Sequence, residues 1–343
     1  MLRVLHASDL HCSALLSARE YVAQFARRRA GEEGEEADLT AAQAIAHLAI
    51  ARGASEPLLK MASRAISRWG GAADVLLVTG DIANSGRRAD LQRARQFVEE
   101  VRDRLRSAAP PADGGGKAAS GLVVLPGNHD RYDDRRPPLP GGLRFGELFA
   151  EYWAKPPECI KVDRFPCDGG TVRFVSVDLS LRQEDRKAAL AGHYYGKGLV
   201  RQDLLEHLES ATVGNRGDNA AVVWLLHFAP GFPGLPWGLR LENGDALLER
   251  ASKLNVSHLF CGHTHETRRY RYGDGPEVIC SGTPSGTASD GVRAFLLTDL
   301  GRKGTRTATE RCIRIGIDGV PGSFREIGDV ALVECGGEAT EES

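Results

Sequence analysis

The sequence lacks several features that would place it in a specialised class of protein. No stretch approaches eighteen apolar residues without a charge, so no membrane-spanning helix is predicted. Residues 1–7 are too short and too interrupted for a signal peptide, and we expect a soluble cytoplasmic protein with no membrane partner. The 44 Lys and Arg nearly balance the 46 Asp and Glu, so there is no overall basic field to gather nucleic acid.

Paired cysteines and internal repeats are also missing. The seven cysteines are scattered, without the close spacing that makes zinc knuckles or redox couples. We therefore expect reduced thiols in a reducing compartment. No repeat of fixed period is present, which excludes solenoids and propellers.

The order of apolar segments indicates the fold class. The length of 343 residues corresponds to about two average domains, and the content of 42% hydrophobic and 26% charged residues is typical of a globular protein. Eight runs rich in Val, Leu and Ile predict buried strands at 2–5, 75–78, 122–125, 172–177, 221–226, 256–260, 278–280 and 293–297. Helical spacing appears at 91–105, 202–208 and 246–254. The pattern predicts an α/β protein, and the runs at 311–317 and 329–333 suggest a terminal hairpin.

Polar side chains suited to chemistry follow five of these strands directly. Open α/β sheets place their active sites outside the carboxyl ends of strands, which makes these positions informative. They hold Asp9 and His11, then Asp81 and Asn84, then Asn128, His129 and Asp130, then His227, and finally His263 and His265. Asp-x-His or Gly-Asp alone is ordinary loop chemistry, and Gly-Asn-His-Asp and Gly-His-Thr-His are stronger signals. All five pieces in order at successive strand ends indicate a metal site.

The residue types in this set restrict the metal. Oxygen and imidazole ligands without thiolate favour Mn or Fe, with Zn as an alternative. The carbonyl oxygen of Asn128 would hold a metal without adding negative charge that a phosphate must approach. Glycine precedes three of the candidates, at 80, 127 and 262, and permits tight turns and close backbone approach.

Together the segments Asp9-Leu10-His11, Gly80-Asp81, Gly127-Asn128-His129-Asp130, His227 and Gly262-His263-Thr264-His265 resemble the calcineurin-like metallophosphoesterase superfamily. The resemblance implies a two-sheet β-sandwich flanked by helices, the αββα fold, with two divalent metal ions at one edge. It also implies ligand roles: Asp9, His11 and His265 for one metal, Asn128, His227 and His263 for the second, and Asp81 bridging them. His129 would be the catalytic acid.

The domain organisation follows from this resemblance, because the motifs extend over most of the chain. We predict a single domain over 1–335, with a helical insertion at 13–70 that emerges after the first motif and shapes the substrate pocket. Residues 336–343 are acidic and small, and we expect a flexible tail.

The implied reaction is hydrolysis of a phosphate ester. A pair of divalent ions lowers the pKa of a bridging water that attacks phosphorus, while His129 protonates the leaving group. In the phosphoprotein phosphatases an acidic residue and then arginine stand three positions after the bridging aspartate; Asn84 and Ser85 stand here, which argues against that activity. Asp130 would orient His129 instead.

The substrate is less tightly defined than the reaction. Segments 80–86, 175–180 and 227–230 look most like the class III cyclic-nucleotide phosphodiesterase branch, although Phe228 stands where that branch often has a second histidine. We expect phosphodiesters, with a nucleotide as one candidate and Asn84 and Arg131 as substrate-binding residues. A phosphomonoesterase, a nuclease and a non-catalytic scaffold are the alternatives. The complete ligand set weighs against the scaffold, and the sequence does not define the oligomeric state.

Overall fold

The computed structural model of the chain describes residues 1–13, 56–70, 73–108, 121–133, 140–154, 159–182, 196–214, 220–236, 239–285, 292–318 and 324–335. Most of the predicted insertion, residues 14–55, and the predicted acidic tail lie outside this set.

Strands dominate the described residues. In chain order they are β1 (Leu2–Ala7), β2 (Val75–Thr79), β3 (Gly121–Leu125), β4 (Ile160–Cys167), β5 (Gly170–Val177), β6 (Gly198–Leu199), β7 (Ala221–Leu225), β8 (Leu241–Glu242), β9 (His258–Cys261), β10 (Arg268–Tyr272), β11 (Glu277–Cys280), β12 (Val292–Lys303), β13 (Arg306–Asp318), β14 (Arg325–Asp329) and β15 (Leu332–Cys335). The helices are α1 (Glu56–Gly70), α2 (Arg88–Ala108), α3 (Arg144–Leu148), α4 (Gln202–Val213) and α5 (Gly244–Lys253), and His129–Arg131 form a short 3-10 helix. Each of the eight predicted strands and three predicted helices is confirmed.

Two large sheets organise the chain. The first has the order β14-β13-β12-β1-β2-β3, with β1, β2 and β3 parallel to one another. The second has the order β15-β10-β11-β9-β7-β5-β4, with β5, β7, β9 and β11 parallel. Parallel strands end at a common edge, so residues that follow β1, β2, β3, β7 and β9 are brought to the same region.

Alternation along the second sheet shows why the protein forms four layers. On β5, Val172 and Phe174 pack with the first sheet, while Val175 and Val177 pack with α4 and α5. The sheet is therefore buried on both faces, as expected for parallel strands covered by helices. On the other side of the molecule, α1 and α2 pack together against the first sheet. The αββα prediction is confirmed.

The last fifteen residues of the predicted insertion form α1. Leu59, Ala62 and Ile66, spaced three and four residues apart, are buried in the core shared with the first sheet. This helix belongs to the packed body of the fold and connects β1 to β2.

The predicted terminal hairpin of residues 311–317 and 329–333 is wrong in its second strand. The antiparallel partner of β13 is β14, whereas residues 332–335 form β15, which pairs in parallel with β10 of the other sheet. The chain thus crosses between the sheets around Val330, whose N–H bonds to the carbonyl of Cys312. None of the described helices is long and apolar enough to span a membrane.

Candidate metal centre

The exits of five strands from both sheets converge at one edge of the sandwich. The loops after β1 and β2 stay paired beyond the strands, because N–H of Asp9 bonds to the carbonyl of Gly80 and N–H of His11 to that of Asp81. In the second sheet, N–H of Gly262 bonds to the carbonyl of His227. The polar residues at these exits are therefore held by continuous backbone hydrogen bonding.

One group of possible ligands, the Asp9 cluster, consists of Asp9, His11 and His265, whose ligand atoms all lie within 4.8 Å of one another. Nε2 of His265 lies 3.3 Å from Oδ1 of Asp9 and 3.1 Å from Nε2 of His11. Asp9 is fully buried, while the side chain of His265 is 31% exposed. The cluster therefore opens to solvent on the side of His265.

A second group, the His227 cluster, consists of Asp81, His227 and His263, again within 4.8 Å. Nε2 of His227 lies 3.3 Å from Oδ2 of Asp81 and 3.1 Å from Oδ1 of Asn128. The amide oxygen predicted as a neutral ligand thus points into the same space as the imidazole.

The two clusters adjoin through Asp81. A third group within the same limit contains His11, Asp81 and His129, so Asp81 faces both neighbouring clusters. Nε2 of His129 lies 3.9 Å from Oδ2 of Asp81, and its side chain is 13% exposed. The structure brings together all seven predicted ligands and the predicted acid.

Hydrogen bonds from outside the clusters orient several of the imidazoles. Nδ1 of His227 lies 2.8 Å from the carbonyl of Thr79, and Nε2 of His263 lies 3.0 Å from that of Leu239. A carbonyl accepts only, so these nitrogens carry the protons and the other nitrogen of each ring is left as the ligand atom. Nδ1 of His129 donates in the same way to the carbonyl of Asn84, at 2.9 Å.

The backbone at the site is unusual. The predicted ligands Asp9, His11, Asp81, His263 and His265 have positive φ angles between 47° and 69°. Non-glycine residues rarely adopt this left-handed conformation, and it persists only where the surrounding structure holds it. The glycine prediction is confirmed at 127, where a Cβ would overlap the Asp81 carboxylate, and at 262, where it would overlap Oγ of Ser8.

Electrostatics suit the site to cations. Burial raises the pKa of Asp9, but the nearby His265 and His227 have a larger opposite effect, and the pKa falls to about 2. Burial also raises the pKa of Asp81, yet His227 and His129 hold it well below the usual range. Burial lowers the pKa of His11 to about 3 and of His263 to about 4. Ionised carboxylates and neutral imidazoles are the forms that bind metal.

The pKa of His227 is shifted in the opposite direction from those of His11 and His263. Burial lowers its pKa, but Asp81 raises it more, to about 9. A cation at this cluster would take over the neutralisation of Asp81 and displace that proton.

A buried carboxylate oxygen of Asp9 is further evidence that this set of side chains fits divalent ions. Oδ1 of Asp9 is buried and accepts no well-aligned hydrogen bond from any described residue, although Nε2 of His265 lies 3.3 Å away. An ionised oxygen held in this way is costly unless a cation compensates it. Asp9, His11 and His265 would hold one ion, Asn128, His227 and His263 a second, and Asp81 would lie between them.

Asp130 contacts backbone rather than the His129 ring. Its carboxylate accepts N–H groups of Gly127 at 2.9 Å, Ala83 at 2.8 Å and Ile82 at 3.2 Å. Burial, with the negative charge of Asp81, raises its pKa to about 7. Among the described residues, the carbonyl of Asn84 is the hydrogen-bond acceptor for the His129 ring, so the predicted direct contact from Asp130 is corrected.

The two predicted substrate-binding residues are both buried. The guanidinium of Arg131 lies 2.6 Å from Oδ2 of Asp178 and 3.2 Å from the carbonyl of Gly142. It is thus occupied by the protein, which differs from the predicted role on a phosphate. Asn84 lies at the site, but the contact identified there is made by its backbone carbonyl.

A set of hydroxyl groups was missed by the sequence reasoning. After β11, Ser281, Thr283 and Ser285 donate to the carbonyls of His6 at 3.0 Å, Asp9 at 2.7 Å and Leu10 at 2.6 Å. They join the second sheet to the loop that carries Asp9 and His11. The available signal was a run of small polar residues at another strand exit.

A four-layer sandwich with histidine, aspartate and asparagine at its strand exits defines a metallophosphoesterase-type protein. The sequence profile of the calcineurin-like phosphoesterase family matches residues 2–267, and the chain belongs to this family. A relative named glycerophosphodiester phosphodiesterase GpdQ, from Enterobacter lignolyticus, is 28% identical over 206 residues, which are 58% of this chain and 58% of the relative.

A solved structure shows the same fold. The chain resembles a dimetal phosphatase from Danio rerio with a TM-score of 0.52 and 16% identity, over 95% of this chain and 98% of that one. The resemblance drawn from the strand-exit motifs is thereby confirmed at the level of family and fold.

Proposed function

We propose that the protein is a metal-dependent phosphoesterase that hydrolyses phosphodiesters. The observation that carries this proposal is that the Asp9 and His227 clusters meet at Asp81. In each cluster the ligand atoms lie within 4.8 Å of one another, in a chain of the calcineurin-like phosphoesterase family. When bound, two divalent cations supply the positive charge that binds phosphoryl oxygens and lowers the pKa of a water.

The role we assign to His129 follows from its position. Its Nδ1 donates to the carbonyl of Asn84, which leaves Nε2 facing the cluster at 3.9 Å from Asp81. It is partly exposed, so a substrate oxygen can reach it. His129 is therefore the proton donor to the departing alkoxide.

Two observations support diesters over monoesters. A monoester carries one more negative charge than a diester, and the guanidinium of Arg131 is already paired with Asp178. The relative from Enterobacter lignolyticus is named for a diester substrate. We therefore infer an alkyl or nucleoside phosphodiester, and Mn²⁺ or Fe²⁺ as the metal.

The test combines metal content with two reporter substrates. The protein is purified without chelator, metal per chain is quantified, and bis-p-nitrophenyl phosphate is compared with p-nitrophenyl phosphate in added Mn²⁺. We expect about two metals per chain and a higher kcat/KM for the diester. A preference for the monoester would refute the substrate class, and a chain that neither binds metal nor turns over would refute the enzyme.

A further inference from the structure

Tyr132 lies behind the candidate centre, one residue after the 3-10 helix that begins with His129. The residue is 3% exposed, and its ring centroid lies 5.3 Å from that of His129. Its backbone carbonyl lies so close to Gly86 that a Cβ there would overlap it. The backbone of Tyr132 is thus packed against Gly86, and its ring lies against that of His129.

The hydroxyl of Tyr132 accepts two hydrogen bonds. Nδ2 of Asn128 and the N–H of Gly196 each lie 3.0 Å from its oxygen. The backbone N–H of Gly196 can only donate, so the phenolic oxygen of Tyr132 accepts in that contact. In the observed orientation the NH₂ end of Asn128 donates to the phenolic oxygen as well, and this contact leaves Oδ1 facing His227.

An asparagine amide has two ends of similar shape, and only one of them binds a cation. Rotation by half a turn would replace Oδ1 of Asn128, which faces Nε2 of His227 at 3.1 Å, by an NH₂ group. The flipped amide would present its NH₂ group to a cation and would lose the hydrogen bond that Nδ2 donates to Tyr132.

We propose that Tyr132 is a positioning residue that selects the metal-binding orientation of the Asn128 amide. The proposal rests on the proposed function, because it assigns Asn128 to a cation at the His227 cluster. It goes beyond the ligand set, since Tyr132 itself would touch neither metal nor substrate.

The experiment is a Mn²⁺ titration of the metal-free protein by isothermal calorimetry, with Tyr132→Phe beside the wild type. His263→Ala identifies which binding step belongs to the His227 cluster. We expect Tyr132→Phe to weaken that step about 10- to 100-fold, as loss of groups that orient ligands typically does, and to change the other step less than about 3-fold. Tyr152→Phe, which loses a partly buried hydroxyl that contacts Arg102 and none of the candidate ligands, should leave both steps unchanged.

A second background separates orientation from general loosening. In Asn128→Asp both side-chain oxygens can face a cation, so Tyr132→Phe should cost less than about 3-fold there. Equal losses in both backgrounds, or equal losses at both steps together with a lower Tm, would overturn the positioning role. A wild type that binds two Mn²⁺ with an unaffected Tyr132→Phe would overturn this proposal alone. A wild type that binds none would overturn the proposed function with it.

Discussion

At the scale of single residues, His129 differs from the surrounding imidazoles because we assign it proton transfer to the leaving group and not metal binding. Its Nδ1 is held by the Asn84 carbonyl, and its exposed edge faces Asp81. A proton donor matters most when the leaving group is a poor one, since p-nitrophenolate departs without protonation. We expect His129→Ala to lower kcat by about 10²- to 10⁴-fold on an alkyl diester, and much less on bis-p-nitrophenyl phosphate.

The measurement is kcat over a series of diesters whose leaving groups differ in pKa, with metal content determined for each sample. His207→Ala, on the exposed face of α4, is the matched control and should behave as the wild type. An equal loss of activity across the series, or a loss of metal from His129→Ala, would argue against a proton donor and for a ligand.

Gly262 provides a second test at a single residue, because here the loop after β9 packs closely against the loop after β1. A Cβ there would overlap Oγ of Ser8 and approach Oδ2 of Asp9, the oxygen that accepts N–H of His263. We expect Gly262→Ala to lose at least about 10-fold in Mn²⁺ affinity, measured by equilibrium dialysis. In Gly244→Ala, the added Cβ would meet only ordinary contacts with Pro230, so wild-type affinity is expected. Similar affinities in both variants would show that close packing at Gly262 is unimportant.

At the scale of elements, the ion pair of Arg131 and Asp178 joins the segment after β3 to the end of β5. Both side chains are at least 93% buried, and the guanidinium also lies 5.6 Å from the ring of Phe145. Removing one partner leaves an uncompensated buried charge, so Asp178→Ala should cost about 3–5 kcal/mol in the free energy of unfolding. Urea denaturation at constant metal concentration measures this difference.

Two comparisons make that prediction specific. The double variant Arg131→Met with Asp178→Leu should lose less stability than Asp178→Ala, because no buried charge remains. Glu249→Ala removes the exposed partner of Lys253 and should change little. If the single variant unfolds at the wild-type urea concentration, the pair does not stabilise the joined elements.

Strands with continuous apolar runs were predictable from the sequence, and strands that carry several charges were not. β5, β7 and β9 are mainly apolar because both faces are covered, although β5 contains Arg173 and β9 begins with His258. The strands β4 and β10 were missed, since their sequences IKVDRFPC and RRYRY carry charges. β4 has a free edge in the described sheet, and β10 pairs its arginines with Glu277 and a carbonyl. Hydrophobic runs do not reveal such strands.

The same distinction holds within the site. The ligand candidates were recognisable because each stands at a strand exit in a short motif. The groups that orient them were not, since the carbonyls of Thr79, Leu239 and Asn84 carry no sequence signature. The use of Arg131 within the protein depended on Asp178, which is 47 residues away. Such long-range pairings require the folded structure.

At the scale of the whole molecule, a buried histidine between the sheets should contribute to loss of stability in acid. His258 lies between the hydroxyls of Thr307 and Thr309, with Glu277 at 3.8 Å. Burial lowers its pKa to about 4 from the ordinary value of 6.5, although Glu277 acts in the opposite direction. Between these values the unfolded chain binds a proton that the folded chain excludes.

Stability should therefore fall as the pH falls from 6.5 to 4, with about 3 kcal/mol lost through His258 and no further loss from it below that range. Urea denaturation of the chelator-treated protein across this range measures the slope, since bound metal would add its own pH dependence. His258→Gln should show a shallower slope. A slope identical to that of the wild type would assign the acid sensitivity to other groups.

Candidate ligands such as His11 and His265 have left-handed backbone and lie far apart in the sequence, and both features bear on whether folding or metal binding comes first. His11 and His265 stand 254 positions apart, and each belongs to a different sheet. Closing so long a loop costs entropy, and the left-handed backbone of these ligands persists only where the folded surroundings hold it, so a metal ion bound to the open chain is a poor nucleus for folding. We expect the polypeptide to close its sandwich first and acquire its ions last. The supply of metal in the cell would then determine how much of the finished protein is active, and not how much of it folds.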